Sequence, residues 1–187
     1  MVMERAAKMA ATATGDSGDE ALIKTGMRLG AAFLNQTNAD LIEEIGHHPA
    51  TEQGAIIRGV GKTLLRNIVL PRDEHLQQVG RLAITGLVSL APSNAEIRTI
   101  CQELEQILQQ YSQHKEQTTQ QLEDAIRGQL EQQQMAEGRQ AQAEINPAMH
   151  PQYKEELSKV LTNLNNQYNE ALDQRKQMIS QCLASSL

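Results

Sequence analysis

Five prolines partition this chain, and their positions limit what it can become. Pro49, Pro71, Pro92, Pro147 and Pro151 all fall between segments of helical periodicity, and none falls inside one. A proline removes a backbone donor and clashes with the turn before it, so helices begin or end at such places. From Ser93 to Leu187 the only prolines are the last two. The stretch before them, Asn94 to Ile145, predicts one helix of about 52 residues, roughly 78 Å long at 1.5 Å per residue. The stretch after them, Gln152 to Ala184, predicts a second of roughly 50 Å. The expected architecture is all-α: a compact helical head over residues 19–92, with about four short helices, and a long antiparallel hairpin over 93–187 bent at 146–151. Residues 1–18 lack an apolar secretory core and carry Glu4 early, which suits a flexible leader.

Within the head, Leu22, Ile23, Met27, Gly30, Phe33 and Leu34 recur at helical spacing from Asp19 to about Gln36. Thr37-Asn38-Ala39-Asp40 has capping-box spacing and predicts a short helix through Leu41, Ile42 and Ile45, closed by Gly46. A third helix from Thr51 places Ile56, Val60, Leu64 and Ile68 on one face. A fourth, from about Arg72 to Leu90, is apolar nearly all round in its second half, as a centrally buried helix would be. Ten of the twelve glycines precede residue 92, several of them inside these helices. Gly26 and Gly30 are spaced for close helix–helix approach, and other glycines suit helix ends or kinks.

In the second half, Ser93-Asn94-Ala95-Glu96 is another capping box. An apolar stripe follows through Ile97, Ile100, Cys101, Leu104, Ile107, Leu108 and Tyr111, alternating three and four residues apart as a helix seam does. It fades from His114 to Gln121 and returns weakly at Leu122, Ile126 and Leu130. The last helix carries a continuous stripe: Tyr153, Leu157, Val160, Leu161, Leu164, Tyr168, Leu172, Ile179 and Leu183. A fold-back at residue 148 or 149 pairs positions whose numbers total about 297. That register sets Leu172 against Ile126 and Leu164 against Gln133, ends the last helix opposite Gln113, and leaves Ile97–Tyr111 without a mate in the hairpin. The surplus apolar surface then calls for partner helices. Leu157, Leu161, Leu164, Tyr168 and Leu172 are the expected interface, in a dimeric coiled-coil-type assembly.

Composition narrows the function. Aromatic residues make up 2% of the chain, with no Trp, whereas ligand pockets are usually lined with them. Nine basic residues against ten acidic precede residue 93, and eight against thirteen follow it. An acidic hairpin disfavours nucleic acid and anionic lipid. The longest apolar run, Leu82 to Ala91, is half a membrane span. The register above separates Cys101 from Cys182 by roughly 21 Å, so both are expected reduced, as in a cytoplasm.

No catalytic signature stands out. Gly59-Val60-Gly61-Lys62-Thr63 resembles the end of a phosphate loop, but Ile56 stands where its first glycine is required and no strand precedes it. Glu44-Ile45-Gly46-His47 is a single copy of a di-iron spacing that needs two. The adjacent carboxylate pairs, such as Glu155-Glu156, point different ways from a helix. The leading expectation is therefore a non-enzymatic protein–protein interaction protein without cofactor or metal. One alternative is a small ligand or metal binder, or enzyme, with its site around Glu44, His47, His48 and Lys62. Another is a nucleic-acid binder using Arg58, Lys62 and Arg66, which share one edge of the third helix.

Overall fold

The structure, a computed structural model, describes residues 2–36, 40–138 and 146–185, with side chains from residue 18 onward. It is all-α. Six helices and one 3-10 turn account for its elements: α1 (Val2–Leu34), α2 (Leu41–Gly46), α3 (Ala50–Asn67), α4 (Glu74–Leu90), α5 (Ala95–Ala136), the 3-10 turn Pro147–Met149, and α6 (Pro151–Ser185). No described helix is long and apolar enough to cross a membrane.

The prolines do mark the boundaries. Pro49 precedes α3, and Pro151 opens α6 at the position where its missing N–H costs nothing. Side-chain caps supply the remaining starts. Asp40 accepts from the backbone N–H groups of Ile42 and Glu43 at the head of α2. Asp73 accepts from Leu76 N–H at the start of α4. Asn94, one residue after the expected Ser93, accepts from Glu96 and Ile97 N–H and starts α5. The expected capping residue Thr37 lies outside the described residues. Gly46 is the last residue of α2, followed by a right-handed His47 cap, and not a left-handed terminator. The first helix begins at Val2 and not at Asp19, so the expected leader segment is helical from residue 2. Its run of alanine and methionine without proline favours helix over coil.

Two compact units divide the chain: Met1–Glu105 with Leu172–Leu187, and Gln106–Ala171. The expected boundary at residue 92 is thus displaced, because the first turns of α5 and the last turns of α6 belong to the head. In that unit α1 packs most extensively on α3. The crossing is set by glycine. A Cβ on Gly26 would collide with the Ile56 carbonyl, and one on Gly59 with the Ile23 carbonyl. Thr63 seals the contact by donating its hydroxyl to Met27 O at 3.2 Å. Ile56, Val60, Leu64 and Ile68 are fully enclosed, together with Ala83, Ile84 and Leu87 of α4. That helix is not apolar all round, because Arg81, Thr85 and Ser89 form an exposed edge. Their hydroxyls are satisfied one turn back, Thr85 by Arg81 O and Ser89 by Thr85 O. Ile97, Ile100, Cys101 and Leu104 are buried in this unit, as are Leu172, Ile179 and Leu183.

The hairpin register differs from expectation by about 20 residues. In the head unit Arg175 donates to Glu103 at 2.7 Å, and the Cys182 thiol lies beside Glu96. In the second unit Tyr111 meets Asn165, His114 meets Tyr168, and Tyr153 meets Glu123. Such pairs total between 276 and 282, not 297. The cause is Gly138. Its φ of +66° is open to glycine and costly to most residues, and it terminates α5 at Ala136, well before Ile145. Residues 139–145 lie outside the described structure. α5 therefore ends before the prolines. α6 runs on to a level beside Glu96 and does not stop at Gln113, and Ile97–Tyr111 has its mate in α6 after all. Neither Cys101 nor Cys182 is in a disulfide.

Candidate interaction surface

In the Gln106–Ala171 unit three tyrosines tie the two helices together, and Leu108, Ile126 and Leu164 are buried. Tyr111, buried, donates its hydroxyl to Asn165 Oδ1 at 2.8 Å. Its ring meets Tyr168 edge-on, with centroids 5.5 Å apart, a favoured aromatic geometry. The Tyr168 hydroxyl reaches His114 Nδ1 at 3.1 Å, and those rings are also perpendicular. Further along, Tyr153 donates to Glu123 Oε1 at 3.0 Å. Burial pushes the Tyr153 phenol above its ordinary pKa, and the Glu123 carboxylate reinforces the shift. All three tyrosines of the chain thus serve as cross-ties. Sequence reasoning did not single out Tyr111, His114 or Asn165 for this role, since partners 54 positions apart become visible only once the turn is placed.

Between the His114–Tyr168 and Glu123–Tyr153 ties, the two helices do not match in polarity. α6 presents Leu157, Val160 and Leu161, all half-buried, and Leu164, which is buried. The corresponding stretch of α5 offers Lys115, Thr118 and Thr119, where the sequence stripe fades, and Leu122 at its end, all half-buried. Thr119 satisfies its own hydroxyl on Lys115 O at 2.8 Å and needs nothing from α6. On the solvent side Lys159 bonds both Glu155, at 2.7 Å, and Glu156, at 3.2 Å. This holds the Lys159 ammonium above its ordinary pKa and Glu155 below its own. The residues are exposed, so the pairing adds little stability.

The five expected interface residues therefore separate into two groups. Leu164 and Leu172 are 8% and 1% exposed and belong to the chain's own interior, which corrects the sequence expectation. The observed register buries both within the chain, whereas the 297 register set Leu164 against Gln133 and Leu172 against Ile126. Leu157, Leu161 and Tyr168 remain half-buried, and the Tyr168 hydroxyl is already engaged.

The alternative sites are placed as follows. Gly59–Thr63 lies wholly inside α3, where Gly59 and Gly61 are buried and Lys62 is exposed, so it forms no phosphate loop. Gly61 accommodates Leu183, whose methyl a Cβ would strike. Glu44 is half-buried on α2, and His47 is exposed at its C-cap. His48 Nδ1 lies 4.0 Å from Glu52 Oε2. Among the described residues, no group of three or more His, Cys, Asp or Glu side chains is arranged to hold a metal. Arg58 is tied to Asp19 at 3.1 Å, while Lys62 and Arg66 are exposed on the same helix. The head also has an open cleft of about 540 Å³ lined by Ile57, Leu90, Pro92 and Leu183. Cys101 is buried in apolar surroundings, which pushes its thiol up to about 11, with Glu105 adding to the effect.

A family of unknown function, DUF6657, matches residues 42–181, which is 140 of the 187 positions. The chain belongs to that family. The match begins in α2 and runs to the last turns of α6, so both compact units lie largely within it. No curated protein and no solved structure matches the chain.

Proposed function

We propose that this protein is a non-enzymatic helical interaction protein and that the Leu157–Val160–Leu161 face of α6 is its docking surface. A second copy of the chain is the favoured partner, joined by coiled-coil-type packing. The observation that carries the reading is incomplete burial: Leu157, Val160 and Leu161 stay half-buried on a stretch of α6 whose counterpart in α5 has Leu122 as its one aliphatic side chain beside Lys115, Thr118 and Thr119. Completing their burial against another apolar helix face would gain about 1 kcal/mol each. A symmetric dimer would bring the same face twice, so each leucine stripe would meet another. Two cysteines outside any disulfide suit a reducing cytoplasm as the working compartment.

Light scattering across a dilution series tests this proposal. The wild-type chain should be a dimer at micromolar concentration and dissociate on dilution. Leu161→Asp should remain monomeric at the same concentration, with unchanged far-UV circular dichroism. A wild-type monomer throughout the series, or a Leu161→Asp variant that still dimerises, would remove the basis for the reading.

A further inference from the structure

We draw no further inference here: the strongest candidate, the open apolar cleft of about 540 Å³ between Ile57, Leu90 and Leu183 beside the first turn of α5, carries nothing because no feature of the structure shows what fills it.

Discussion

The head and the Gln106–Ala171 hairpin are both made of helices, yet they are held together by different means. The head relies on close approach and complete enclosure: Gly26 and Gly59 let two backbones touch, and Ile56, Val60, Leu64 and Ile68 retain no exposure. The hairpin segment has three tyrosines reaching across to Asn165, His114 and Glu123, with Leu157, Val160 and Leu161 between them only partly covered. A tightly packed helical interface leaves nothing for a partner to add. One stitched by occasional polar ties leaves apolar surface between the stitches. The difference explains why a docking surface is proposed in the hairpin and not in the head.

Glycine substitutions should divide the two regions most sharply. Gly59→Ala forces a Cβ into the Ile23 carbonyl, a backbone atom that cannot swing aside. It should cost about 3 kcal/mol or more and lower the thermal midpoint markedly. Gly128→Ala, in α5, meets no atom within 4 Å and should stabilise by about 1 kcal/mol. Urea denaturation of both variants would break the comparison if their effects were equal.

Truncation of a leucine should follow the same order. Leu64→Ala in the head should cost about 3 kcal/mol, within the usual range for a fully buried leucine. Leu157→Ala should cost about 1 kcal/mol or less when measured on the dilute monomer, because its native state leaves it half-wet. A similar loss for the two would mean that the hairpin seam is as well packed as the head.

A pH effect should originate in the head. Cys101 ionises near 11 when folded, against 9.0 for the free thiol. Its folded pKa is raised, so its contribution is fully present below pH 9 and is lost as the pH climbs through about 11. Up to about 2 kcal/mol should disappear across that window. Denaturation of Cys101→Ala over the same range should lack this component. Native Cys101 should also resist alkylation at about pH 8, below the free-thiol pKa, and rapid labelling there would contradict its enclosure.

A comparably small effect should come from the hairpin ties. Tyr111→Phe keeps the ring contact with Tyr168 and removes the hydrogen bond to Asn165, for about 1 kcal/mol. Denaturation of the dilute monomer would sharpen the comparison, since a loss well above this would give polar ties a larger role than the account assigns.

Much of this fold could be read in the sequence. The apolar periodicities of α3 and α4, the prolines at helix boundaries, and the glycine spacing at positions 26 and 30 all point to what the structure contains. The register could not be read the same way, because two signals competed for the turn. Pro147 and Pro151 forbid a continuous helix through them, whereas Gly138 in a glutamine-rich, helix-favouring stretch costs only about 1 kcal/mol if it stays helical. α5 ends just before the glycine, and the prolines only start the next helix. A shift of about 20 residues then moves Leu164 and Leu172 from the expected interface into the interior. The mismatch itself was visible as the fading stripe between His114 and Gln121, but which residues of α6 it faces depends on the turn.

The central claim is that the hairpin register encloses Leu172 within one chain and leaves Leu161 to a partner. Single cysteines placed by Leu161→Cys and Leu172→Cys, with Cys101 and Cys182 replaced by alanine, test it through alkylation rate as a function of protein concentration. The account predicts that the thiol at position 172 is protected at every concentration, whereas the thiol at position 161 reacts quickly in dilute solution and becomes protected as the concentration rises. Equal protection of both positions in the most dilute samples, or a position 161 that reacts equally fast at every concentration, would contradict it.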